Sequence, residues 1–80
     1  MRTVIECVPN VSEGRDRDLV REIADSVRAA PGVRLLDVSS DASHNRSVLT
    51  FVGDAAGVRA GVEALFEAAV RRIEIGRAHV

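Results

Sequence analysis

Two short polar stretches hold most of the residues that could do chemistry. The first is Pro9-Asn10-Val11-Ser12-Glu13-Gly14-Arg15. It offers an amide at Asn10, a hydroxyl at Ser12, a carboxylate at Glu13 and a glycine at Gly14. Such a set can hold a polar ligand, and glycine lets a backbone approach closely. The same residues also suit local capping. Ser12 or Asp16 can bond helix amides, and Glu13 can favour the positive end of a helix. The second stretch is Asp41-Ala42-Ser43-His44-Asn45-Arg46. There His44 can move a proton near neutral pH, Asp41 can orient it, and Arg46 can clamp a carboxylate. The plainer reading is a turn with a solvated histidine, and with Arg46 paired to Asp41 or Glu13. The sequence leaves both readings open at each stretch.

Other chemistries find less support. Cys7 lies inside a β-branched stretch, and no base is evident beside it, so it reads as core packing. A single cysteine forms no internal disulfide, which fits a reducing compartment. His44 and His79 are far apart and lack ligand spacing, so no metal site is expected. No phosphate-binding glycine loop is present. All 11 basic residues are arginine, which removes any lysine nucleophile. With two Phe, no Trp and no Tyr, the chain lacks the faces that stack nucleic-acid bases. A net charge of −1 with mixed signs gives no polyanion footprint. The start has a charge inside any apolar stretch, and no apolar run approaches membrane-spanning length. A soluble, cytoplasmic protein is expected, with neither nucleic acid nor membrane as partner.

The elements that must position these residues follow from pattern. The 80 residues allow one small domain, and 46% hydrophobic content makes it globular. Thr3 to Val8 reads as a strand, and Pro9–Gly14 as the loop after it. Asp16 is a plausible N-cap, and Leu19, Val20, Ile23, Val27 and Ala30 recur at helical spacing. Pro31-Gly32 should end that helix, with Gly32 as a left-handed cap. Val33 to Val38 is a second strand, Ser39 to Asn45 a polar loop, and Ser47 to Val52 a third strand. A second helix runs from about Ala55 to Ile73, with Val58, Val62, Leu65, Phe66, Ala69, Val70 and Ile73 on one face. Gly57 and Gly61 look like weak spots in its first turns.

The order β-α-β-β-α is an α+β, ferredoxin-like split βαβ sandwich that lacks one strand. A strand is therefore expected to keep an open edge. In such a sheet the first two strands run the same way. The loops Pro9–Gly14 and Ser39–Arg46 should then emerge side by side, and loops on a rigid scaffold are where sites are built.

Two longer motifs carry a resemblance. Glu6-Cys7-Val8-Pro9-Asn10-Val11-Ser12-Glu13-Gly14 resembles the opening of glutamate formiminotransferases. Leu35-Leu36-Asp37-Val38 resembles their second strand, and Asn45-Arg46-Ser47-Val48-Leu49-Thr50-Phe51-Val52-Gly53 their third. The resemblance covers about Val4 to Ile73 and implies a transferase moving a formimino group from N-formimino-L-glutamate to tetrahydrofolate. This would place the protein in histidine degradation and folate one-carbon metabolism. It implies tetrahydrofolate as co-substrate, no metal, and a second similar subdomain with the folate held between the two. A homo-oligomeric parent is also implied. The residues it places near the substrates are Asn10, Ser12, Asp41, His44, Asn45 and Arg46. Mammalian members have an acidic residue near position 39, where this chain has Ser39, and Asp41 is the acidic group offered in its place.

The family's expected acid/base histidine belongs to a His-Pro-Arg-Met-Gly run after the second helix. This chain departs from that pattern at Glu74 and reads Ile75-Gly76-Arg77-Ala78-His79-Val80. Those six residues back-translate as ATC GGA AGA GCA CAC GTC, the continuation of a widely used sequencing-library adapter. Residues 1–73 are thus expected to be native, and 74–80 a non-native tail. His79 is then no site residue, no catalytic residue is expected in this chain, and the chain alone should be inactive. The alternative is a small α/β ligand-binding or dimerisation module without catalysis, since fold alone does not decide function.

Overall fold

The computed structural model describes residues 3–73. Within them the order is β1 (Ile5–Cys7), β2 (Asn10–Val11), α1 (Arg17–Ala29), β3 (Val33–Asp41), β4 (Arg46–Gly53) and α2 (Ala55–Ile73). All strands form one antiparallel sheet organised around β4. β1 and β2 lie along one edge of β4, and β3 along the other. β1 and β3 therefore run parallel to each other, which is the expected incomplete split βαβ arrangement. Among the described residues the outer edges of β1, β2 and β3 are unpaired.

The first strand is longer than its composition suggests. Ile5 faces Gly53, Cys7 faces Phe51, Asn10 faces Val48 and Val11 faces Ser47, so the register does not slip between β1 and β2. Between them the Pro9 carbonyl accepts a hydrogen bond from the Leu49 N–H at 3.1 Å. The two pieces are one strand interrupted where proline has no N–H to give. Proline keeps its carbonyl bond to β4 but forgoes the N–H bond on the same side, so the strand loses one ladder bond there. The expected loop Pro9–Gly14 therefore shortens, since Asn10 and Val11 belong to the ladder.

The second strand also extends past its expected end. Ser39, Ser40 and Asp41 pair with Val48, Ser47 and Arg46, leaving only residues 42–45 as the hairpin turn. The register shifts between Leu35 and Asp37, so Leu36 is an extra residue in a bulge. The bulge changes the parity of the strand. Val33, Leu35 and Val38 can then all pack towards the core, while Leu36 remains 51% exposed. The bulge and the charges of Arg34 and Asp37 also blunt this edge against unwanted pairing.

α1 starts as expected: the Asp16 carboxylate accepts from the Leu19 N–H at 3.1 Å. It ends at Ala29, where Ala30 turns extended ahead of Pro31. Gly32 then takes a left-handed φ of 75°. Leu19, Ile23 and Val27 meet Leu49 and Phe51 of β4 and Leu65 of α2 in the core. Burying each such side chain contributes about 1.5–3 kcal/mol.

The contact face of α2 includes Val58, Val62, Leu65 and Ala69 of the expected set, while the Ile73 side chain lies outside the described ones. Leu65, Ala68 and Ala69 are buried, whereas Phe66 and Val70 are 51% and 48% exposed. Small residues also let the helix approach the sheet closely. A Cβ at Gly57 would collide with the Gly32 carbonyl oxygen, and one at Gly61 would come within 2.8 Å of the Phe51 ring. Both glycines weaken the helix as a helix, but they let it approach the sheet. The Asp54 carboxylate caps α2 by accepting from the Gly57 N–H at 2.8 Å. No described helix is long and apolar enough to cross a membrane.

Candidate functional site

The chain directions bring the two polar stretches to one end of the sheet. β2 leads to residues 12–16 at the end where β3 turns into β4, so the segment before α1 lies against the 42–45 hairpin. Four contacts join them. The Gly14 N–H donates to the Asn45 side-chain oxygen at 3.0 Å. The Ser47 hydroxyl donates to the Glu13 carbonyl. The Arg15 Nε donates to the Ala42 carbonyl at 2.9 Å. Gly14 itself is wedged against the hairpin base, where an added Cβ would be 2.6 Å from the Asp41 carbonyl oxygen.

The hairpin is shaped from within. The Asp41 Oδ1 accepts from the Ser43 N–H at 2.9 Å and the His44 N–H at 3.3 Å, so its side chain takes the place of a turn carbonyl. The Asp41 Oδ2 lies 2.6 Å from the His44 Nδ1. Asn45 adopts a left-handed φ of 50°, a conformation asparagine tolerates better than most residues. These bonds to His44, chiefly the one from its side chain, hold the Asp41 carboxyl below its ordinary value, and the nearby Arg46 charge adds to the effect. The pair is solvent-exposed, so it contributes little to stability.

The six residues expected near substrates are therefore neighbours, in different roles. Asn10 is exposed in β2, and Ser12 is exposed just beyond it. Asp41 ends β3 rather than lying in a loop, and it organises the turn. His44 is exposed and paired to Asp41, which is the expected orienting contact. Asn45 spends its side-chain oxygen on Gly14, which makes it a structural clasp. Arg46 is exposed and forms no ion pair with Asp41 or Glu13. Asp16, not Ser12, caps α1. Cys7 is half-buried against the core, as its strand position implies. His79 and the rest of 74–80 lie outside the described residues.

The structure adds Ser47, which the pattern did not single out, and buries Glu13, which the pattern offered as a carboxylate or a helix-end charge. Ser47 is 1% exposed, and its hydroxyl meets both the Glu13 carbonyl and, at 2.8 Å, the Ser40 hydroxyl. Glu13 is 9% exposed. The only hint in sequence was a serine at an inward position of a strand, an arrangement that needs a buried partner.

Two concavities lie elsewhere. One of about 370 Å³ is lined by Val4, Gly32, Arg34 and Asp54 at the opposite end of the sheet. Another of about 480 Å³ runs between α1 and β3, beside Arg17, Arg21 and Arg28. Neither is lined by any of the six candidate residues, although Ser40 borders the second. Among the described residues no group of three His, Cys, Asp or Glu side chains could hold a metal ion. The candidate site is an open polar surface built on a clasped pair of loops, suited to form one wall of a cleft.

Comparison with known proteins finds relatives along the chain. A family model described as the formiminotransferase domain, N-terminal subdomain, matches residues 4–79. The chain is 40% identical to a glutamate formimidoyltransferase of Streptococcus pyogenes serotype M1, across 99% of this chain and 26% of that protein. It is 48% identical to a glutamate formimidoyltransferase of Thermoplasma acidophilum, across 76% of this chain and 23% of that protein. A formimidoyltransferase-cyclodeaminase of Sus scrofa is 42% identical across 99% of this chain and 15% of that protein. The chain thus spans about a quarter, or less, of the length of these relatives.

Proposed function

The chain belongs to the formiminotransferase family as its N-terminal subdomain, and from that premise we propose that it forms one wall of a formimino-transfer site. The donor is N-formimino-L-glutamate and the acceptor tetrahydrofolate, a co-substrate held between this subdomain and a second one. This is one-carbon chemistry of histidine degradation, run in the cytoplasm. An acid/base histidine outside residues 3–73 manages the protons, and preorganised donors stabilise the tetrahedral adduct. The observation that carries the reading is the clasp between Gly14 and Asn45, which fixes the two polar loops as one surface at the sheet end.

Within that surface Asn10 and Ser12 offer neutral polar contacts, and Arg46 offers a cation to the substrate's carboxylates. Asp41 and His44 act as a unit whose first task is to hold the hairpin's shape.

A chimera tests this. Residues 4–73 replace the matching segment of the Streptococcus pyogenes relative, and formiminotetrahydrofolate formation is followed. The folded chimera should turn over formiminoglutamate, whereas the purified 80-residue chain should not. A folded but inactive chimera, or turnover by the chain alone, would refute the proposal.

A further inference from the structure

Glu13 is the one described acidic residue that is buried, with 9% of its surface exposed. No hydrogen bond or ion pair to its carboxylate occurs among the described residues. The nearby cations do not serve it. The Arg15 Nε goes to the Ala42 carbonyl, and Arg46 is exposed without an ion pair. Nor can the main chain easily carry Glu13 away. Its carbonyl is held by Ser47, and the next N–H by Asn45. A carboxylate withdrawn from water without a partner is costly, and natural proteins keep few such groups without a reason.

We propose that the Glu13 carboxylate receives the formimino end of the donor, as a planar formamidinium cation. The inference rests on the transferase reading for the identity of the ligand, but the receptor is read from the burial. A formimino group on an amine is an amidine, which is cationic at neutral pH. Its two nitrogens present N–H groups side by side, spaced to meet the two oxygens of one carboxylate, as a guanidinium does. The donor's remaining charges are carboxylates, and Arg46 stands at the same sheet end, its main chain against Gly14, to meet them. The two ends of the donor would thus be distinguished by charge. Glu13 is a binding residue in this account, and the proton transfers belong to other groups.

Two measurements test it. In the 80-residue chain, the carboxyl carbon of Glu13 is followed by NMR during titration with formamidinium chloride and, separately, with urea, a planar neutral analogue. The Glu13 signal should shift saturably with formamidinium and not with urea. No saturation, or the same response to both, overturns the proposal whatever the chimera does. In the active chimera, Glu13→Gln should raise KM for formiminoglutamate at least tenfold and leave KM for tetrahydrofolate unchanged. Glu13→Asp should restore part of the loss. An unchanged donor KM, or equal losses for both substrates, also overturns it. If the unaltered chimera is folded but inactive, the transferase reading fails, while the formamidinium titration still decides whether Glu13 is a cation receptor.

Discussion

A methyl group added at Gly14 would sit 2.5 Å from the Arg46 carbonyl oxygen, 2.6 Å from the Asp41 carbonyl oxygen and 2.7 Å from the Arg46 nitrogen. All three are main-chain atoms at the last pair of the β3–β4 ladder, so no side chain can swing aside. Either the ladder end opens or residues 13–15 move out. Overpacking of this kind costs about 1–3 kcal/mol. Outward movement also breaks the Gly14–Asn45 hydrogen bond, a net loss of about 1 kcal/mol. The expected loss for Gly14→Ala is therefore about 2–4 kcal/mol. A domain of 80 residues has a total stability of about 4–12 kcal/mol. The loss should appear in urea melts as a lower midpoint with an unchanged slope. Ser43→Ala, on the exposed turn of the same hairpin, should stay within about 0.5 kcal/mol of the parent. If Gly14→Ala also stays within that range, the close packing of the two loops is wrong.

Three further outcomes follow from the same contacts. Gly57→Ala should destabilise the chain, although helix propensity alone would favour alanine by about 1 kcal/mol, because the methyl meets the Gly32 carbonyl; a higher melting temperature would contradict this. Asn45→Ala should cost about 1 kcal/mol more than Asn45→Gly in denaturant melts, since both lose the bond to Gly14 but only glycine accepts the left-handed φ freely. The Asp41 carboxyl should titrate below 3.8 by NMR, and His44→Ala should move the midpoint back up. Because its folded value is depressed, whatever stability Asp41 adds is present above the ordinary carboxylate pKa and lost as pH falls through the folded value. A midpoint indifferent to His44 would contradict the pairing.

Local signals made the helices legible. Asp16 and Pro31 mark the boundaries of α1 by mechanisms that act within a few residues, whereas Gly32 takes its left-handed φ in the turn beyond Ala30, the actual C-cap. The strands were legible at their apolar centres and misread at their polar ends. Ser39, Ser40 and Asp41 have turn-forming side chains, yet they extend because Val48, Ser47 and Arg46 face them across the ladder. Pro9 looks like a stop, but its carbonyl still bonds Leu49, and the strand resumes after the loss of a single N–H bond. Leu35-Leu36 gives no sign of which leucine bulges out. On α2, Val58, Val62, Leu65 and Ala69 were placed correctly, but Phe66 and Val70 were included for their size while Gly57, Gly61 and Ala68 make close contacts. At the site, chain direction was enough to bring the loops together. The clasp by Asn45 and the burial of Glu13 depend on partners more than thirty residues away, and periodicity carries no such information.

The central claim is that the ligand-binding surface lies at the hairpin end of the sheet. Hydrogen exchange of the chimera, with and without tetrahydrofolate and formiminoglutamate, tests it most directly. The account predicts slowed exchange at residues 10–15 and 41–47 on adding the substrates. It predicts no change at the opposite end, around residues 30–34 and 53–57. Protection confined to that opposite end, or absent from both loops while the chimera turns over, would contradict it.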